Sequence, residues 1–235
     1  MNRSAEPLRL ACIDADAPPL FGPADARGHR EGFEPAVAEL LGEELGRPVE
    51  WVIMPWGEML PSVQEHAVDA VLCGQGIIPS RVEQVDFTRP YGVFHEGVLT
   101  RRGEAVPGPA GLGGKRVAAI AASANIALAR TFTGADVVPF GGDSGDVYGD
   151  MLAALRSGEV DAVVDDDVVF VPLGESDPVF ELAFVVPTGN RWGIGVAKDR
   201  PEQLGALDAA LGRVIEDGRH RKVWEQWLPS LDYPF

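Results

Sequence analysis

Residues 68–91 read VDAVLCGQGIIPSRVEQVDFTRPY, and the changes of character along this stretch decide the fold. Val68-Asp69-Ala70-Val71-Leu72 is a short, mostly apolar run, which predicts a buried strand. Cys73-Gly74-Gln75-Gly76 ends it in a glycine-rich turn. Ile78-Pro79-Ser80-Arg81 then starts a helix with proline at its entry, where the missing N–H costs nothing. Val85-Asp86-Phe87-Thr88-Arg89-Pro90-Tyr91 leads into an extended run over 92–101.

Working back from that strand, Leu8 to Ile13 predicts another, ending in the loop Asp14-Ala15-Asp16-Ala17-Pro18-Pro19. Gly32-Phe33-Glu34-Pro35 opens a helix in which Val37, Leu40, Leu41 and Leu45 recur at helical spacing, and Gly46 with Pro48 stops it. Val49 to Met54 predicts a strand and Gly57 to His66 a helix. Strand, helix, strand, helix, strand implies an α/β class with a mostly parallel sheet flanked by helices. Ligands of such sheets sit at the carboxyl ends of strands, here at Asp14 to Ala17, at Pro55-Trp56 and at Cys73 to Gly76.

Working forward, a Gly/Pro-rich stretch over 103–114 breaks the chain and the pattern restarts. Strands are predicted at Arg116 to Ala122, Asp136 to Phe140 and Val160 to Val164, with helices at Ala124 to Thr131 and Asp150 to Ser157. The strand at 160–164 runs into Asp165-Asp166-Asp167. An extended segment, Trp192 to Lys198, and two helices, Glu202 to Asp217 and Arg221 to Trp227, return to the first lobe. The expected division is residues 1–100 with 192–235 as lobe 1 and 101–191 as lobe 2. Two crossings, near Thr100 and near Thr188, would form a hinge.

The chain has 235 residues and a net charge of −16. That charge repels phosphate backbones and anionic headgroups, which disfavours nucleic acid and direct membrane insertion. No apolar run reaches the ~18 residues of a membrane helix. The opening Met1-Asn2-Arg3-Ser4-Ala5-Glu6-Pro7 lacks a basic segment with a leader-length apolar core. The expectation is a periplasmic or extracellular protein, lipid-anchored or not, whose leader was removed, or a cytoplasmic one if Met1 is the start. Cys12 and Cys73 lie in strand-like runs, as buried thiols or as a bonded pair. His29, His66, His95 and His220 are scattered without ligand spacing, so no metal and no cofactor are expected.

The ordered set of motifs resembles the amino-acid-binding proteins of ABC importers, the bacterial extracellular solute-binding proteins of family 3, with the two-lobed type II periplasmic-binding-protein fold. Four stretches carry it: Asp14 to Leu20; Gly32-Phe33-Glu34; residues 68–91; and Gly158-Glu159-Val160-Asp161-Ala162-Val163-Val164-Asp165-Asp166. Leu112 to Val117, Trp192 to Val196, Asp217-Gly218, Trp224 and Trp227 add to it in collinear order.

The resemblance implies a solute-binding protein, expected as a monomer, that captures an amino acid or analogue by hinge closure and delivers it to a permease. Such a zwitterion needs a planar cation for its carboxylate and an acid for its ammonium. The resemblance places Arg81 in the first role and Asp166 in the second. Their bland alternatives are a surface ion pair with Glu83 or Asp86, and an acidic helix start. Asp14 would meet the ligand side chain or a pocket water, against a reading as a loop acid capping backbone. Trp56 would be an aromatic platform, against plain core packing. Ser123 would donate to the carboxylate from the first turn of lobe two. Gly74, Gln75 and Gly76 would offer backbone groups.

Departures from the family pattern fall at Cys73 to Gly76, where serines are usual, and at Ala17, where an aromatic lid is usual. Ala122 and Ala124 replace a glycine and a second threonine. The alternatives are an enzyme on the same scaffold, similar to cyclohexadienyl dehydratases, or a ligand-sensing domain. The acids open to such an enzyme are Asp14, Asp16, Asp143, Asp165, Asp166 and Asp167.

Overall fold

The computed structural model describes residues 6–141 and 144–235; the opening residues 1–5 and Asp143 lie outside the described residues. The chain divides into two compact units, Met1–Val93 with Arg191–Phe235, and Phe94–Asn190.

In the first unit, β1 (Leu8–Cys12) pairs in parallel with β2 (Val49–Ile53) and β3 (Ala70–Val71), with Leu10 opposite both Trp51 and Ala70. A return strand, β10 (Gly195–Val196), lies antiparallel between β3 and β4 (Asp86–Phe87), giving the order β2-β1-β3-β10-β4. Helix α1 (Phe33–Leu45) buries Phe33, Val37, Ala38 and Leu41. It ends where Gly46 turns left-handed at φ +62; the Gly46 N–H donates to the Glu43 carbonyl and the Arg47 N–H to that of Gly42, and glycine makes that turn at least steric cost. Between β2 and β3 lie a single 3-10 turn, Trp56–Glu58, and α2 (Met59–Gln64); α3 (Pro79–Val82) follows β3.

Helices α7 (Pro201–Glu216) and α8 (Arg219–Trp227) pack on α1. Beneath them is an aromatic core. Phe33 meets Trp224 edge-on at 5.3 Å between centroids, and Tyr91 stacks on Trp192 at 5.9 Å. Each of these fully buried rings contributes on the order of 3 kcal/mol by leaving water. The packing leaves no room at Gly92, where an added Cβ would stand 2.4 Å from Trp192.

The second unit holds β6 (Arg116–Ile120), parallel to β7 (Asp136–Phe140) and to β8 (Ala162–Asp166). β5 (Gly92–Arg101) joins β8 antiparallel, Glu96 opposite Asp166, and β9 (Phe180–Trp192) lies outermost in the order β7-β6-β8-β5-β9. Helices α4 (Ala124–Ala129), α5 (Val147–Ser157) and α6 (Asp167–Ser176) belong to the same unit. Val98, Leu112, Val117, Ile126 and Val164 form its core.

Both units are therefore α/β, with mixed sheets in which parallel strands are extended by antiparallel ones. The extended run over 92–101, expected in lobe 1, is corrected: past Val93 it belongs to the second unit. The physical reason lies in Val98 and Leu99, which point to opposite faces and are both fully buried. A strand apolar on both sides needs a place inside a covered sheet, and β8 supplies it. The expected strand at 192–198 is likewise shorter; β9 runs on to Trp192, and β10 covers only Gly195–Val196. The chain passes between the units at Val93–Phe94 and at Asn190–Arg191.

Candidate functional site

In the first unit the predicted residues gather beyond β3. Arg81, on α3, is only 3% exposed. Its Nη1 donates to the Gly76 carbonyl at 3.2 Å, and its guanidinium carbon lies 5.2 Å from the centre of the Trp56 ring. The surface ion-pair reading of Arg81 does not fit that burial. Trp56, half-buried on its 3-10 turn, gives a ring face to this cation and thereby orients it.

Gly76 faces Trp192 in a single antiparallel bridge. The bridging hydrogen bonds come from its flanks, Ile77 N–H to Arg191 O at 2.8 Å and Gly193 N–H to Gln75 O at 3.0 Å. In such a pair the central residue directs its own N–H and C=O the other way, here toward the side where its carbonyl meets Arg81. Donors from Gly76 and Arg81 therefore share one edge, an arrangement suited to an anion.

Gly74 has a different role from the one expected. At φ +55 its N–H donates to Glu34 Oε1 at 2.6 Å, and the Tyr91 hydroxyl donates to the same oxygen. Glu34 is fully buried, and its Oε2 has no hydrogen-bond partner among the described residues. Burial pushes the carboxyl up to about 7, against the pull of these two donors and of Arg30. Sequence reasoning reached Glu34 only as part of a motif; an acid set between Phe33 and Pro35 in the first turn of an apolar helix was the signal for more. Gln75 is also buried, with Nε2 turned back to Cys73 O at 3.3 Å. Asp14 is exposed, and its Oδ1 accepts from Ala24 N–H at 3.5 Å, the loop-capping geometry.

In the second unit the acidic triplet divides into three roles. Asp166, which closes β8, is 6% exposed, and its Oδ1 accepts from Asn125 Nδ2 at 2.9 Å. Asp165 accepts the Asp166 N–H at 2.7 Å. Burial, and secondarily the negative charge of Glu96, raises the Asp165 carboxyl to about 7. Asp167 opens α6 and accepts the His95 N–H at 2.9 Å; burial raises it as well. Asn125 had no signal in the sequence, because its importance comes from α4 lying against the end of β8.

Ser123 lies at the start of α4. Its hydroxyl donates to Ile120 O at 2.6 Å and accepts from Ile126 N–H at 3.1 Å, so it is the N-cap of α4 and its one proton is already placed. Ala122 beside it stands at φ +55. The turn that glycine usually makes is thus kept with alanine, at a cost of about 1 kcal/mol. Ser123→Ala is expected to lower stability by about 1 kcal/mol, a fall of roughly 2–4 °C in Tm, and to change ligand affinity less than about threefold. Differential scanning calorimetry with a binding isotherm checks both. A large affinity loss would return the hydroxyl to the ligand.

Among the described residues no His, Cys, Asp or Glu cluster could hold a metal, and no helix is long and apolar enough to cross a membrane.

An arginine-binding protein of an ABC transporter from Escherichia coli (strain K12) is 26% identical over 223 residues, which cover 93% of this chain and 89% of that protein. Two solved structures of an ancestral arginine-binding protein, one bound to glutamine and one to arginine, each superpose with a TM-score of 0.84. They are 28% and 27% identical, covering 94% and 96% of this chain and 96% and 99% of theirs. Two units of this architecture, and a match over residues 10–230, make the chain a solute-binding protein that belongs to the bacterial extracellular solute-binding proteins, family 3.

Proposed function

We propose that the chain captures an amino acid and passes it, as a monomer outside the cytoplasmic membrane, to the permease of an ABC importer. The observation that carries this reading is the guanidinium of Arg81, buried on the Trp56 ring and steered by the Gly76 carbonyl. A planar cation held in that way is preorganised for a carboxylate, which it can grip with two parallel hydrogen bonds. The Gly76 N–H adds a third donor. Asp166 from the second unit is the partner of the ligand ammonium, with Asn125 holding one of its oxygens in place. Ser123 acts indirectly, by fixing the start of α4. Asp14, beside its cap of Ala24, and Trp56, beside its stack on Arg81, are the residues to meet the ligand's side chain.

A ligand that engages both units favours the state in which they reach it together, and the two chain crossings are the hinge for that motion. The relatives named for arginine, and the ancestral protein solved with glutamine, support an amino-acid ligand. A thermal-shift screen of amino acids identifies it, since ligand binding raises Tm by mass action.

Asp166→Asn is expected to weaken an amino-acid ligand roughly 10- to 100-fold, the worth of a charge-assisted hydrogen bond. The same substitution should barely change binding of the matching carboxylate without its ammonium. Calorimetry on both ligands decides, and equal losses would remove Asp166 from the ammonium role.

A further inference from the structure

We propose that Cys12 and Cys73 form a disulfide that staples β1 to the loop after β3. Their Sγ atoms lie 3.2 Å apart, and both residues are buried at 1% exposure. They are the chain's two cysteines, so the correct bridge has no intramolecular competitor.

The local backbone explains the meeting. Ala11 stands opposite Val71, and the Leu72 N–H donates to Ala11 O at 3.3 Å. Side chains alternate along a strand, so an uninterrupted β3 would place Cys73 on the face opposite Cys12. β3 instead stops at Val71, and the left-handed Gly74 turns the chain. The Cys73 sulfur comes over the end of β1, where the Ile13 N–H also points at it. A cysteine used as a small apolar filler needs apolar neighbours, but not another sulfur. The family is extracellular, and disulfides form and persist in oxidising compartments.

The reaction is thiol–disulfide exchange with an external disulfide, R–S–S–R. One cysteine thiolate attacks it, and one R–S⁻ leaves. The second cysteine thiolate then attacks the mixed disulfide at the protein sulfur and expels the other R–S⁻. The two cysteine protons end on the two R–SH products, and the external disulfide takes the two electrons. Burial holds the Cys73 thiol well above its usual range, so the exchange runs while the strand ends are open, during folding. The bridge joins positions 61 residues apart, which constrains the unfolded chain strongly. It also fixes the ends of the two strands that lead into Asp14 and into Gly74–Gly76.

The test is refolding of the denatured, reduced full chain in oxidised or in reduced glutathione, then denaturing alkylation and mass measurement. Refolding with oxidised glutathione should give a monomer that takes up no alkyl group and is lighter than the reduced chain by two hydrogen atoms. Its Tm should exceed that of the reduced form by at least about 5 °C. A Cys12→Ala/Cys73→Ala variant should show one Tm in both buffers. Two alkylated thiols on a natively folded chain after oxidative refolding would overturn the proposal, as would bridging only between chains. The mass readout on the unaltered protein decides even if the double variant does not fold. Because no amino acid enters the assay, the result is independent of the ligand assignment.

Discussion

Arg81→Ala is expected to remove amino-acid binding while the protein stays folded. Truncating one partner of a desolvated, hydrogen-bonded charge pair costs about 2–5 kcal/mol, and the lower end alone is a loss of roughly 30-fold in Kd. The upper end applies here, because the guanidinium is 3% exposed and little water can replace it at the carboxylate. The fold itself should lose far less. Within the first unit Arg81 contributes a stack on Trp56 and a bond to Gly76 O, interactions worth about 1 kcal/mol each. Arg81→Lys keeps the charge but not the planar fork, so it should recover part of the affinity only. Titration calorimetry on folded variants, with circular dichroism as the control, checks all three statements. Wild-type affinity in a folded Arg81→Ala protein would remove the carboxylate grip altogether.

Glu34→Gln is expected to flatten the pH dependence of stability between pH 4 and pH 8. The ordinary carboxyl titrates at 4.5, but burial lifts this one to about 7. A group raised in the fold favours the folded state while both states hold the proton, below 4.5, and that contribution is lost as pH rises through 7. The difference is about 3 kcal/mol from this one group. Glutamine keeps an acceptor for Gly74 N–H and Tyr91 OH and carries no charge to bury. The variant should therefore match or exceed the wild-type Tm at pH 8 and fall level with it or below at pH 4. Asp165, also raised to about 7, keeps its own slope in both proteins, so the difference between the two profiles reports Glu34. Parallel profiles would mean that Glu34 titrates in the fold as it does in the unfolded chain.

The fold was most legible where local chemistry and tertiary demand agree. Gly46 and Pro48 stop α1 because the chain turns there, and β7 has the bounds that its flanking turns imply. Helix α6 was hidden for the opposite reason. Its Val168-Val169-Phe170 would suit a strand, and Pro172 sits inside it, so packing overrides propensity. Arg81 and Asp166 were read as site residues because a motif carries each of them, and the structure buries both. Ser123 and Gly74 were read as ligand donors from their type and place, and in the structure each gives a proton to a neighbour. Whether a hydroxyl or an N–H is available depends on partners that are close in space and distant along the chain, as Glu34 is from Gly74.

The placement of β10 also sets an order of events at the ribosome. The strand that joins β3 to β4 comes from residues 195–196, and the helices that cover α1 begin at Pro201. A nascent chain that has emerged as far as Asn190 holds every residue of the second unit but lacks the strand between β3 and β4 in the first sheet. The inserted unit can therefore complete its core during synthesis, whereas the first 93 residues must wait with α1's apolar face uncovered. During that interval the exposed surface is a target for chaperones and proteases, and a translation stall between residues 100 and 195 would prolong it.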